Sequence, residues 1–121
     1  MNMGKTVVID TNSFVYAFDK KLDLLGVVEN GLNEKCEFMT LSMCINELKR
    51  IKRNDVVKWV EHLKVTVIET NPEGFVDDQI LSVASRREAY LLTQDKMLRD
   101  RAKQEGMKIV NVVGQNAFLD D

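Results

Sequence analysis

Histidine and cysteine are scarce in this 121-residue sequence, which contains one histidine and two cysteines. The cysteines, Cys36 and Cys44, do not form a Cys-X-X-Cys pair. Structural zinc sites need several thiolate or imidazole ligands, so the sequence excludes a metal site of that kind. We expect both cysteines to be buried, unreactive thiols rather than the halves of a disulfide.

Proline and glycine are also rare, and long apolar runs are missing. One proline and six glycines leave no segment with the composition of a disordered linker. No apolar run approaches the roughly 20 residues that a transmembrane helix needs. Residues 1–6 contain no extended apolar signal segment. We therefore predict a single domain over residues 1–121, with no membrane segment and a cytoplasmic location.

Neither sign of charge dominates, because the sequence contains 17 basic and 19 acidic residues and has a net charge of −2. A protein that binds nucleic acid through its overall charge would be basic, so that class is excluded. Contacts with a phosphate backbone would have to come from local basic clusters, although charged runs are most often solvated faces. The candidates are Lys49, Arg50, Arg53, Lys96 and Arg99.

Strand and helix patterns alternate along the chain. Short apolar segments typical of buried strands cover residues 7–10, 36–41, 65–68, 90–93 and 108–113. Segments with helical apolar periodicity fill the intervals between them. This alternation predicts a three-layer α/β/α fold with a five-stranded parallel sheet and helices on both faces.

Acidic residues lie where the predicted strands end and helices follow. Asp10 ends the first strand, Glu47 lies in the helix after the second, Asp77 and Asp78 open the helix after the third, and Asp95 follows the fourth. In a parallel sheet these junctions all lie at the carboxyl edge. Convergent carboxylates repel one another unless a cation neutralises them. Hard oxygen ligands favour Mg²⁺ or Mn²⁺, and such ions activate water for phosphodiester hydrolysis.

Each acid taken singly has a simpler interpretation. Asp77, Asp78 and Asp95 open predicted helices, where a carboxylate is favourable with the helix dipole. Glu47 is followed by basic residues with which it can pair. Asp10 is harder to explain as a helix cap, because the three residues after it are themselves good caps. Only the joint pattern favours a catalytic metal site.

Several segments resemble those of PIN domains, a fold of metal-dependent nucleases related to flap endonucleases. The matching segments are Val8-Ile9-Asp10-Thr11-Asn12, Asn46-Glu47-Leu48, residues 76–81, residues 92–98 and residues 106–113. Each segment alone is a weak motif. Their order, spacing and strand context together are specific, and the resemblance covers the whole chain.

The resemblance implies a sheet with strands one and four at its centre, RNA as the substrate and Mg²⁺ or Mn²⁺ as the cofactor. It implies catalytic metal-site roles for Asp10, Glu47, Asp77 and Asp95, with Asp78 as a further metal-site acid and as the alternative to Asp77. Asn12, Ser13 and Thr93 would support Asp10 or a metal-bound water.

Small PIN domains of this kind resemble the toxin ribonucleases of toxin–antitoxin pairs and ribosomal-RNA processing nucleases. The resemblance therefore implies an antitoxin or a ribosome-assembly factor as partner, and a homodimer. The alternatives are a PIN fold that holds RNA or protein without cutting, and a structure-specific DNA nuclease. A haloacid-dehalogenase-like phosphohydrolase would need an aspartate at position 12, where this chain has Asn12.

Overall fold

A computed structural model describes residues 4–120 as a six-stranded sheet between two layers of helices. Residues 1–3, part of the segment predicted to lack a signal sequence, lie outside the described residues. The strands are β1 (Lys5–Ile9), β2 (Cys36–Leu41), β3 (Val65–Ile68), β4 (Tyr90–Leu92), β5 (Ile109–Val113) and β6 (Asn116–Asp120). The helices are α1 (Thr11–Asp19), α2 (Leu24–Leu32), α3 (Ser42–Arg50), α4 (Asn54–Glu61), α5 (Val76–Arg86) and α6 (Lys96–Gln104).

The sheet order is β3-β2-β1-β4-β5-β6, which confirms the predicted architecture with strands one and four at the centre. Every neighbouring pair from β3 to β5 is parallel. The sheet exceeds the predicted five strands by one, because the residues after β5 turn back as β6. This strand pairs antiparallel with β5, from Val113 opposite Asn116 to Ile109 opposite Asp120.

The central strand β1 is buried on both faces. Val7 and Ile9 pack into one apolar core and Val8 into the other, and all three side chains are fully buried. The first core includes residues of α1, α2 and α4, and the second includes residues of α5 and α6. Strand side chains alternate between the two faces, so an unbroken apolar run fits a strand with helices on both sides. This packing fixes the end of β1, and therefore Asp10, deep between the two layers.

Helix α2 closes the outer edge of the sheet by lying against β6. A side chain at Gly31 would meet the carbonyl oxygen of Ala117 at 2.1 Å, so this helix approaches the strand too closely for any other residue. The helix ends at Asn33, which adopts the left-handed conformation that terminates helices. Among the described residues, no helix is both long enough and apolar enough to cross a bilayer.

Candidate active site

Asp10 lies at the carboxyl end of β1 and is only 5% exposed. It is itself the N-cap of α1, which corrects our expectation that the residues after it supply the cap. Its Oδ1 accepts hydrogen bonds from the backbone N–H and from the hydroxyl of Ser13, both at 3.2 Å. Its Oδ2 accepts a hydrogen bond from the Thr93 hydroxyl. The carboxylate is therefore held from both sides in one orientation.

Thr93, fully buried, connects Asp10 to Asp95. Its single hydroxyl proton goes to Asp10, and the same oxygen accepts a hydrogen bond from the backbone N–H of Asp95 at 3.0 Å. Strands β1 and β4 are parallel neighbours, so their carboxyl ends lie side by side. The loop after β4 is thereby fastened to the end of β1, and Asp95 is brought to the same edge.

Asp95 caps α6 through one of its two carboxylate oxygens. Oδ1 accepts hydrogen bonds from the N–H groups of Met97 at 2.8 Å and Leu98 at 3.2 Å. No donor within residues 4–120 hydrogen-bonds to Oδ2. The cap fixes the side chain and leaves one oxygen for another ligand.

The pKa shifts link acids that lie far apart in the sequence. Burial and, to a smaller extent, the charge of Asp95 raise the pKa of Asp10 to about 6, against hydrogen bonds from Thr93 and Ser13 that lower it. Burial also raises the pKa of Asp77, and the next contribution is again the charge of Asp95. Glu47 adds to that rise as well. Asp95 therefore lies within reach of both Asp10 and Asp77, and Glu47 lies within reach of Asp77.

The donor set suits Mg²⁺ or Mn²⁺, although it is not a closed cage. Within residues 4–120, no three acidic, histidine or cysteine side chains already surround a position for a metal. Mg²⁺ in proteins commonly keeps several waters and takes only one or two carboxylates. The carboxylates of Asp10 and Asp95, which lie close enough for the charge of Asp95 to raise the pKa of Asp10, fit that open coordination.

Asp78 lies at the rim of this region and pairs with Arg101. The carboxylate and the guanidinium are 2.8 Å apart, and both side chains are about half exposed. A cavity of about 390 Å³ is lined by these two residues together with Phe75, Val76 and Asp77. The charge of Asp95 raises the pKa of the neighbouring Asp77.

The fold matches that of a known nuclease. The solved structure of the PIN domain endonuclease Utp24 superposes with a TM-score of 0.84, covering 95% of this chain and 90% of that one at 20% sequence identity. The chain has the PIN-domain fold. The resemblance seen in the sequence is thus confirmed, although no protein-family model matches the chain.

Two curated proteins are similar to this chain over most of their length. Ribonuclease VapC9 of Archaeoglobus fulgidus is 29% identical over 116 residues, which cover 89% of this chain and 83% of that protein. Ribonuclease VapC4 of Methanocaldococcus jannaschii is 27% identical over 124 residues, which cover 94% of each chain. Both relatives are named as ribonucleases.

The predicted supporting residues of the PIN domain divide into two groups. Ser13 and Thr93 hydrogen-bond Asp10 as described above. Asn12 is exposed, and its side chain makes no hydrogen bond with any residue between 4 and 120. The orientation of Asp10 therefore comes from Ser13 and Thr93, and Asn12 faces solvent beside it.

The predicted basic residues also divide. Lys49 and Arg50 are exposed in the last turn of α3, within one turn of Glu47. Arg53, in contrast, is bound to Asp19 at 2.7 Å and to Asp55 at 3.1 Å. Asp19 ends α1, about 13 Å along the helix from its start at Asp10. Arg53 therefore joins α1 to α4 away from the acids.

The basic residues of α6 lie close to the acidic edge. Lys96 pairs with Asp100 at 3.3 Å and remains exposed. Arg99 donates a hydrogen bond from Nη2 to the backbone carbonyl of Thr93 at 3.4 Å. Arg99 thus supports the loop that carries Asp95, whereas Lys96 is open to solvent beside it.

Sequence reasoning missed two residues at this edge, Arg101 and Phe75. Arg101 was one of several helix charges, and its pairing with Asp78 spans 23 residues, beyond any local pattern. Phe75 is 78% exposed. A lone aromatic residue directly after the polar turn at residues 71–74 is a signal that could have identified it.

Proposed function

We propose that this PIN domain is an endoribonuclease that hydrolyses RNA phosphodiester bonds with Mg²⁺ or Mn²⁺. The observation that carries the proposal is the hydrogen-bonded link from Asp10 through Thr93 to Asp95. It holds the carboxylates of Asp10 and Asp95, which follow the neighbouring parallel strands β1 and β4, in fixed orientations at the carboxyl edge of the sheet. The similarity to two proteins named as ribonucleases favours RNA over DNA as the substrate.

The position of each residue at the sheet edge suggests its role. Asp10 and Asp95 would hold the metal, with Asp77 and Glu47 completing its surroundings through waters. A bound Mg²⁺ or Mn²⁺ lowers the pKa of its water and neutralises charge that develops on the phosphate oxygens. Ser13 and Thr93 would keep the Asp10 carboxylate ionised and aligned by donating to both of its oxygens. We assign Asp78 to holding Arg101 rather than to first contact with the metal.

The RNA backbone would lie along the exposed basic residues beside the acids. Lys49 and Arg50 stand on the α3 side of the edge, and Lys96 stands on the α6 side. Such contacts hold the strand in register without reading its sequence. Arg99 would act through the Thr93 loop, and Arg53 is left out because both of its acidic partners engage it.

The wider setting follows from the resemblance and stays a prediction. We expect a homodimer, a cytoplasmic location, and a protein partner that is either an antitoxin or a ribosome-assembly factor. These expectations are independent of the chemistry at the acidic edge, so a monomer with the same activity would leave the nuclease proposal intact.

The proposal is tested by incubating an end-labelled single-stranded RNA with the purified protein and millimolar Mn²⁺. We expect internal cleavage that EDTA stops and that Asp10→Asn abolishes. Asp100→Asn is the matched control, because Asp100 is an exposed acid on α6 whose partner is Lys96. Cleavage that survives Asp10→Asn would contradict the proposed site, and an inert wild type that still binds the RNA would favour a non-catalytic module.

A further inference from the structure

The two most exposed large apolar side chains among residues 4–120 both lie at the acidic edge. Phe75 is 78% exposed and Met97 is 77% exposed. Phe75 lies two residues before Asp77, and Met97 lies two residues after Asp95. Single exposed apolar side chains are common on protein surfaces. Two of them beside acids of the candidate site indicate a surface that a ligand covers.

Phe75 is the better placed of the two to contact a substrate. It lines the 390 Å³ cavity that also contains Asp77 and Arg101, whereas Met97 does not line it. We propose that the Phe75 ring stacks on an unpaired nucleobase of the RNA, next to the phosphate that the acids cleave. This inference rests on the proposed function and narrows the substrate to RNA that is single-stranded at that nucleotide, because a paired base does not offer its face.

The backbone around Phe75 is held firmly while its side chain is uncovered. The Gln79 side chain on α5 donates hydrogen bonds to the carbonyls of Asn71 and Glu73, both at 3.2 Å. The Asn71 side chain in turn accepts from the N–H of Glu73 at 2.9 Å. The turn before Phe75 is therefore braced by the helix that follows it. A ring presented on a fixed backbone loses little entropy on binding a base.

Arg101 offsets part of the negative charge that a nucleotide would meet in this cavity. Two carboxylates line the cavity, and they would repel a phosphate on their own. The Asp78 carboxylate fixes the Arg101 guanidinium at 2.8 Å, and the arginine side chain keeps 47% of its surface exposed. An aromatic face beside an arginine is the combination that binds single-stranded nucleic acid without requiring one sequence.

The side chain of Phe75 has no packing role that its removal would disturb. The backbone of Phe75 has an ordinary extended conformation. Phe75 contributes to α5 through its backbone carbonyl, which accepts a hydrogen bond from the Gln79 N–H at 3.2 Å. Alanine keeps that carbonyl, so Phe75→Ala should fold and melt as the wild type does. Phe118→Ala is the matched control, because Phe118 is a half-exposed phenylalanine on the edge strand β6. This strand is separated by β5 from the central strands β4 and β1, which Asp95 and Asp10 follow.

The experiment measures steady-state cleavage of a single-stranded oligoribonucleotide in Mn²⁺. We expect Phe75→Ala to raise KM about tenfold with little change in kcat, Phe75→Trp to keep the wild-type KM, and Phe118→Ala to have no effect. Removing the base of one nucleotide beside the cleaved bond should raise the KM of the wild type by a similar factor. The same abasic substrate should leave the KM of Phe75→Ala unchanged.

Two outcomes overturn the inference while leaving the nuclease proposal standing. One is an unchanged KM for Phe75→Ala. The other is equal sensitivity of Phe75→Ala and wild type to abasic sites at every position. If the wild type does not cleave at all, the proposed function fails separately. Anisotropy of the same labelled oligonucleotide then decides the stacking contact, since equal dissociation constants for wild type and Phe75→Ala would overturn it.

Discussion

The hydroxyl of Thr93 donates a hydrogen bond to the carboxylate of Asp10 across 83 residues of sequence. This contact joins the ends of two neighbouring parallel strands at the one point where both lead into helices. Because Thr93 also accepts from the Asp95 N–H, it governs the orientation of both acids. The arrangement of the site therefore depends on a residue that carries no charge.

Replacing Thr93 with valine should destabilise the protein more at pH 8 than at pH 5. Valine keeps the shape and removes the hydroxyl, so the buried carboxylate of Asp10 loses a donor and its pKa rises further. A hydrogen bond to a charged group is worth about 1.5–3 kcal/mol when that group is ionised. Urea unfolding at the two pH values measures the difference. Thr93→Ser is the control that should keep the wild-type pH dependence, and an equal loss at both pH values for Thr93→Val would contradict this role.

Ionisation of Asp10 should cost the folded state stability as the pH rises. Burial raises the folded-state pKa from 3.8 to about 6, so between these values the folded protein holds a proton that the unfolded chain releases. The free energy of unfolding therefore falls with increasing pH across this window, by up to about 3 kcal/mol from this group.

Comparison with Asp10→Asn isolates that contribution, because the other titrating groups are common to both proteins. The variant should gain stability relative to wild type as the pH rises from below 4 to above 6. Thermal melts without divalent metal measure the difference. If the difference in melting temperature between wild type and variant is constant over this pH range, the pKa of Asp10 is not raised by folding.

Two substitutions at Asp95 separate its capping role from its metal role. Asparagine is as good an N-cap as aspartate, whereas alanine at this position typically costs about 1 kcal/mol. We expect Asp95→Asn to melt like the wild type and Asp95→Ala to be less stable, with metal-dependent cleavage lost in both. An Asp95→Asn variant that cleaves normally would limit Asp95 to capping α6.

The basic residues around α3 should differ in what their loss affects. The double variant Lys49→Gln, Arg50→Gln should raise KM for RNA and reduce its dependence on salt, because each phosphate contact releases counterions. Arg53→Gln should lower the melting temperature slightly and leave KM unchanged, because its partners are Asp19 and Asp55. Cleavage assays at two salt concentrations distinguish the pair Lys49 and Arg50 from Arg53, and an increase in KM for Arg53→Gln would show that Arg53 also binds RNA.

The sequence pattern was enough to predict the layers and the edge at which the acids lie, because these depend on local features such as an apolar run that stops at Asp10. The two central strands followed only from the resemblance to PIN domains. The contacts of Arg53 with Asp19 and of Arg101 with Asp78 could not be predicted, because these partners lie 34 and 23 residues away and are brought near only by packing. The role of Asp10 as a helix cap was also missed, because three later residues offered equally good local candidates. Strand β6 escaped prediction because its short pattern became a strand only against β5.

The most direct test of the central claim is calorimetric titration of Mn²⁺ into the protein without RNA. We expect wild type and Asp100→Asn to bind Mn²⁺ with the same affinity, and Asp10→Asn and Asp95→Asn to lose that binding while remaining folded. Bound metal should also raise the melting temperature of the two proteins that bind it. If Asp10→Asn binds Mn²⁺ as tightly as the wild type, or the wild type binds none, the acidic edge is not the metal site that we propose.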